Sequence, residues 1–563
     1  MSRVSTPPQT PTQTTHAVLN GLTTPQSSPG SDVLPKPRVV ENFRPISVII
    51  IGAGFSGIYC GIRIPERLRN VKLTIYEKNS GIGGTWYENR YPGCACDIPS
   101  HSYQYTFAPN PNWSQSHAPG PEILQYLESV TKRYSVDRFI KTSHKVLDAT
   151  WDEKTSQWHV TVKNLQTGET LEDRADVVIS ARGTLNERSW PDIPGLQDMK
   201  IPVMHSASWD ESVNFENKRI GIIGGGSISP EQRKKFATDP EYYLNFRTAI
   251  ERDGNSAHSL TMKDSQMQKL AREDLIALMR KKLESKPHIF ESLLPDFGVT
   301  CRRLTPGPGY LEALTEDNVE FINTPIARAT ETGLVLQSSE EKKLDILVCA
   351  TGFQTSAPPP FPVVGKNGQT MQQRFEPYAE TYLSLATDGF PNYFMMLGPN
   401  AAIGTGPLTT MIERTGDYIV KCIRKLQKEG ISSMEPKTAR VRDFSRIIDE
   451  YFKGTVYLDR CSSWYKNKGG RGDRITGVWP GSALHAMETL RSPRWEDFDY
   501  VYSEDNAGKE GNRLAWLGDG WSAAQVDPGE GELAHFLQPE LIDIPSEPFP
   551  EDTPVFRMLP FSH

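Results

Sequence analysis

Residues 46–79 read ISVIIIGAGFSGIYCGIRIPERLRNVKLTIYEKN. The run from Ile46 to Ile51 is apolar and mostly β-branched, as expected of a strand buried on both faces. It feeds Gly52, Gly54 and Gly57 in GxGxxG spacing, with a helix expected from about Gly54. A second strand, Lys72 to Tyr76, ends in Glu77, about 20 residues beyond the last glycine, the position at which such units bind a ribose. Gly52 permits the turn, Gly54 lets the backbone approach a pyrophosphate, and Gly57 lets helix pack on strand while the helix N-terminus faces the anion. A Gly-rich turn alone says little. Strand, turn, helix, second strand and terminal acid together predict an α/β chain with a dinucleotide-binding, Rossmann-like unit.

The remainder of the 563 residues allows two or three domains, at 37% hydrophobic and 23% charged composition. A net charge of −7 without a block of Lys or Arg gives no footprint for nucleic acid or an anionic membrane. The N-terminal residues are rich in Ser, Thr and Pro and lack an apolar signal core, so a disordered tail is expected over residues 1–42. The longest apolar run is broken by glycines and too short to span a bilayer, which points to a cytoplasmic protein. Seven cysteines in irregular spacing, Cys94-Ala-Cys96 included, predict reduced thiols rather than a disulfide framework or a metal site.

A second Gly-rich turn, Gly224-Gly225-Gly226, follows the β-branched run Ile220 to Ile223, but Pro230 and a charged run occupy the place of its helix. No further strand-like run is seen until VEFIN at Val319, and the intervening QKLAREDLIALMRKKLES is helical in pattern. A complete βαβ unit needs roughly 30 residues. The second dinucleotide unit is therefore expected to be incomplete, with Gly224 and Gly226 as its remaining phosphate contacts.

Between these turns lies GIGGTWYENRYPGCACDIPSHSYQYTF, too dense in glycine and aromatics for a helix or plain strand, and so a structured loop of the kind that carries function. Its pattern GGxWxxxxYPGxxxD, with Gly83, Gly84, Trp86, Tyr91, Pro92, Gly93 and Asp97, resembles the flavin loop of the Baeyer–Villiger monooxygenases, a branch of the class B flavoprotein monooxygenases. The resemblance extends from about residue 45 to 540. DVVISARGTLNERSWPDIPG and DILVCATGF resemble the family's two interdomain linkers. CRRLTPGPGYLEAL and CSSWYKN resemble the segments bearing its active-site arginine and tryptophan, here Arg303 and Trp464. The fingerprint FxGxxxHxxxWP/D appears as MKIPVMHSASWD, which keeps His205, Trp209 and Asp210 but has Met199 and Ile201 in place of Phe and Gly.

The resemblance implies a fold of two dinucleotide-binding domains, FAD and NADPH as cofactors, and Gly84, Thr85, Trp86, Asp97, Tyr103 and Val146 beside Gly52, Gly54, Gly57 and Glu77 at the FAD. Tyr103 is equally compatible with packing. It puts Arg302 where the family has a Lys for the NADPH 2′-phosphate. His205 would couple domain rotation to catalysis, although a lone histidine is also compatible with a structural role. It implies a reaction in which NADPH reduces FAD, the reduced flavin captures O2 as a peroxide, and one oxygen atom is inserted beside the carbonyl of a small hydrophobic ketone to give an ester or lactone. That chemistry needs a fixed cation for anionic oxygen, a need that a guanidinium held by a carboxylate meets. Arg303 with Asp97 is the candidate pair, whereas an Arg–Asp pair by itself is more often structural. The expected domains are an FAD-binding part at 43–190, a truncated NADPH-binding part with a helical insertion at 191–345, a second FAD-binding part at 346–500 and a C-terminal extension at 501–563. In the family's frame some 40 to 50 residues are missing between Ser229 and Pro230. Heteroatom oxidation, an NADPH-independent flavoprotein (an oxidase or redox-silent isomerase), and an inactive flavin-binding splice form stay open beside the leading reading of a monooxygenase of secondary metabolism.

Overall fold

The computed structural model describes residues 39–223, 240–303, 309–355, 358–503, 512–527, 529 and 531–538. Strand Ile46–Ile51, helix Phe55–Arg67 and strand Val71–Tyr76 form within a residue of their predicted limits. They sit in a five-stranded, all-parallel sheet with strand order Tyr393–Met395, Val177–Ser180, Ile46–Ile51, Val71–Tyr76, Ile140–Lys141. Helix Phe55–Arg67, through residues such as Ile58, buries one face of this sheet over Ile50 and Ile75. An antiparallel meander, His144–Asp152, Gln157–Asn164 and Thr170–Ala175, covers the other face, with Trp158 and Val160 at its core. Two glycines are obligatory at the first turn. Gly52 has φ +108°, and a Cβ on Gly57 would come within 1.9 Å of the Gly52 carbonyl oxygen, where strand and helix meet. Gly57→Val is therefore expected to open the turn, and the purified protein should lose its flavin colour. Flavin retained at parental stoichiometry would remove this turn from the cofactor site.

The second sheet is small. Val203–His205, Ile346–Cys349 and Ile220–Ile223 run parallel, with Ile346–Cys349 in the middle. Placing Ile346–Cys349 in the returning FAD-binding part was thus a misassignment by a few residues. A short apolar run is alike in both sheets, and only pairing tells them apart. Among the described residues nothing pairs with the outer edge of Ile220–Ile223, and Ile220 and Ile222 are 37% and 66% exposed. Apolar residues left open on a parallel strand are what an incomplete βαβ unit leaves behind. VEFIN at Val319 is not a strand; the next one is Ile326–Thr330, paired with Gly333–Leu336. The helical insertion is present as Pro240–Ser256 and Gln266–Lys282. Gly224, Gly226 and the junction of Ser229 with Pro230 lie outside the described residues.

Two further expectations need correction. Cys301 and Cys461, 160 residues apart in sequence, form a disulfide, and only Cys60, Cys94, Cys96, Cys349 and Cys422 are free. Residues 39–42, read as the end of a disordered tail, are held instead: the Val40 N–H donates to the Trp521 carbonyl, and the Glu41 carboxylate accepts from Ser522 Oγ and the Ala523 N–H. They form a compact unit with the described C-terminal residues beyond 503, while Phe43–Ser503 forms the other unit. Residues 501 and 502, assigned to the extension, belong to strand Phe498–Tyr502, which pairs with Ile431–Pro436. No helix among the described residues is long and apolar enough to cross a membrane.

Candidate active site

Glu77 ends its strand 3% exposed. Its carboxylate accepts the Ala53 and Asn79 N–H groups, each at 2.8 Å, which ties the glycine turn to the second strand. Burial pushes its carboxyl above the usual range, and the two amides pull it partly back. The flavin-like loop docks on this turn: the Gly83 N–H donates to the Ala53 carbonyl at 2.9 Å, and Gly84, at φ +56°, starts helix Thr85–Glu88. That helix buries Trp86, whose Nε1–H donates to Tyr103 Oη at 3.3 Å. Tyr103 in turn meets the Phe55 ring edge-on at 5.1 Å.

Gly52, Gly54, Glu77, Gly84, Thr85, Trp86, Asp97, Tyr103, Val146, Arg303 and Trp464 all face one cavity of about 740 Å³. In its wall Arg303 Nε lies 2.5 Å from Asp97 Oδ2, across more than 200 residues of sequence. Burial works against the guanidinium charge, but Asp97, then Tyr465, Cys96 and Tyr103, outweigh it, and the pKa of Arg303 rises. It is a permanent cation. Trp464 packs on Tyr465 at 4.5 Å between ring centres, and its carbonyl accepts from Thr355 Oγ1.

Three expected residues fall elsewhere, the first being Gly57, which packs against the Gly52 carbonyl and does not line the cavity. Arg302 turns away from the cavity and donates from Nε to the Ser462 carbonyl at 2.5 Å, a consequence of adjacent side chains leaving an irregular segment on different sides. His205, fully buried, lies behind the wall where the two linkers cross. There the Ser189 N–H donates to the Gly352 carbonyl and the Gln354 N–H to the Glu187 carbonyl, and the imidazole packs between Trp190 and Phe353. Its Nδ1 accepts the Ala207 N–H, which leaves the proton on Nε2, and burial, the largest influence, lowers its pKa. Arg182, unmarked in the sequence, also lines the cavity; its signal was position, a basic residue two places after buried strand Val177–Ser180.

The helical insertion meets the loop after the motif through His101. Tyr243 on helix Pro240–Ser256 donates to the Asn110 carbonyl, so its hydroxyl accepts from Gln104 Nε2 and from His101 Nδ1–H. Burial first, then Arg247, pushes the His101 pKa down from 6.5 to about 4. The folded state therefore binds this proton more weakly than the unfolded chain. The stabilising contribution is complete above 6.5 and is lost as pH falls toward about 4. Unfolding midpoints of the parent should drop across that window more steeply than those of His101→Gln. Parallel curves would assign the pH dependence to other groups.

Residues 50–118 match a family model described as an NAD(P)-binding Rossmann-like domain. The FAD-binding monooxygenase tazF of Aspergillus terreus is 34% identical over 539 residues, spanning 87% of this chain and 94% of its own. The FAD-binding monooxygenase stcW of Emericella nidulans is 31% identical over 542 residues, spanning 88% of both. Since 87% of 563 residues is about 490, roughly 50 of the 539 positions aligned with tazF face no residue of this chain. That shortfall has the size expected after Ser229. Among solved structures, cyclohexanone monooxygenase from Rhodococcus sp. Phi1 bound to NADP+ has a TM-score of 0.71 at 24% identity, covering 82% of this chain and 100% of that one. Oxidized steroid monooxygenase bound to NADP has a TM-score of 0.67 at 24% identity, with the same coverage. A likeness of this degree shows a shared fold.

Proposed function

Because the chain belongs to the FAD-binding monooxygenases, we propose that it inserts one oxygen atom of O2 beside the carbonyl of a hydrophobic ketone, forming an ester or lactone. The enzyme is a flavin-dependent monooxygenase with the two-domain fold of the Baeyer–Villiger enzymes; FAD is its cofactor, and solved structures of that fold hold NADP beside FAD. The observation that carries the finer reading is the Asp97–Arg303 pair in the wall of the cavity that also holds the Gly52–Gly57 turn and Glu77.

The first unit fits FAD. The turn admits no side chain at Gly57, Glu77 is placed for a ribose, and the loop from Gly83 closes over the turn. FAD, when bound and reduced, supplies the two electrons that activate O2. Asp97 holds the Arg303 fork so that its charge faces oxygen as negative charge develops there. Trp86, Tyr103 and Trp464 exclude water from the same wall, which strengthens that interaction. The second unit does not fit NADPH in the same way: among the described residues nothing pairs with the outer edge of Ile220–Ile223, and Arg302 is engaged elsewhere. That edge favours a second reading, a flavoprotein that receives its electrons from something other than NADPH.

By analogy with fungal members of the family, the substrate proposed is a ketone of secondary metabolism with a polyketide, steroid or terpenoid skeleton. A cytoplasmic location is part of the proposal, and the Cys301–Cys461 disulfide is the feature that pulls against it. The deciding experiment reduces the FAD-loaded protein with dithionite without air, then admits O2 with a panel of cyclic ketones. Ester with one oxygen atom from labelled O2 supports the proposal; hydrogen peroxide alone, with every ketone, refutes it.

A further inference from the structure

We propose that the Cys301–Cys461 disulfide is a positioning device for the oxygen-transfer site, holding the segment that carries Arg303 against the segment that carries Trp464. The inference rests on the reading of Arg303 given above. Cys301 stands two residues before Arg303 and Cys461 three before Trp464, and neither stretch is in a helix or strand at that point. Both half-cystines are buried, with their Cα atoms 6.4 Å apart.

The other ties between the segments are few and converge on the same spot. The Gly298 N–H donates to Asp459 Oδ2 at 2.9 Å, and Arg302 Nε donates to the Ser462 carbonyl at 2.5 Å. Asp97, which receives Arg303, comes from a third and distant part of the chain. The stretch just before Arg303 is also held by the helical insertion, Gln268 exchanging two hydrogen bonds with the Val299 backbone and Thr300 Oγ1 donating to the Leu260 carbonyl, and the disulfide is the covalent anchor two residues from Arg303. A bond that closes so long a loop stabilises a protein wherever it lies. Only a positioning bond also sets where the guanidinium sits, and a displacement of about 1 Å at such a site costs about 100-fold.

The test uses the full chain loaded with FAD and the variant Cys301→Ser/Cys461→Ser, with Cys301→Ala/Cys461→Ala as a second variant should the serines fail to fold. Two quantities are read well below each variant's unfolding midpoint. One is ester formed from cyclohexanone per dithionite-reduced flavin reoxidised by O2; the other is the rate at which phenylglyoxal labels Arg303, mapped by mass spectrometry. Loss of the disulfide is expected to lower ester yield about tenfold or more, with hydrogen peroxide in its place, and to speed labelling of Arg303 several-fold at unchanged FAD content. A lowered unfolding midpoint with parental yield and parental labelling would overturn the proposal and leave the bond a stabiliser only. A parent that makes no ester defeats the monooxygenase reading instead. In that case the labelling rate decides alone, and an unchanged rate refutes positioning.

Discussion

Replacing Arg303 with alanine is expected to lower ester formation by about 100- to 1000-fold, the usual cost of deleting one preorganised electrostatic group. The flavin should still be reduced by dithionite and reoxidised by O2, so the lost ester should reappear as hydrogen peroxide. Arg303→Lys keeps a charge but loses the planar fork that meets Asp97, so partial activity is expected from it. Asp97→Asn should fall between the two, because it leaves the cation in place without its carboxylate anchor. Colour and unfolding midpoint serve as controls, since the Gly52–Gly57 turn and Glu77 belong to other segments. Parental ester yield in Arg303→Ala would remove this residue from the reaction altogether.

Reduction of the flavin by NADPH should be very slow in this chain. The motive is the outer edge of Ile220–Ile223, bare among the described residues, where a second strand would carry the basic residue for the 2′-phosphate, together with the diversion of Arg302 to the Ser462 carbonyl. One lost charged hydrogen bond costs about 1.5 to 3 kcal/mol, and misplacing the nicotinamide by an ångström costs about a further 100-fold, so a combined loss on the order of 1000-fold or more is expected. Anaerobic stopped-flow mixing reads it directly as bleaching of the yellow protein. Fast, saturable bleaching would show that the site has been rebuilt from other residues.

Where the sequence was legible, several local rules agreed. Residues 46–79 combine strand composition, obligatory glycines and a terminal acid, and each points to the same unit. The Asp97–Arg303 pair was legible only through resemblance, because no spacing rule links residues so far apart. Other features had no local signal at all. Cys301 and Cys461 look like bystanders until the fold brings them together. Ile346–Cys349 is an apolar run that would suit either sheet, and its partners Val203–His205 and Ile220–Ile223 decide the matter. Arg302 and Arg303 are neighbours of one type, and only packing sends one to a carbonyl and the other to a carboxylate.

The bare edge at Ile220–Ile223 also bears on how long this protein lasts in a cell. The outer side of that strand, which no described residue pairs and where Ile222 is laid open, is a template for any passing β-segment, and it competes for chaperones and proteases with every unfolded chain around it. The steady amount of the protein is then set by the speed of that capture as well as by synthesis. Warmer growth or stronger expression should move it from the supernatant to the pellet, and Ile222→Lys, which puts a charge on the edge, should move it back.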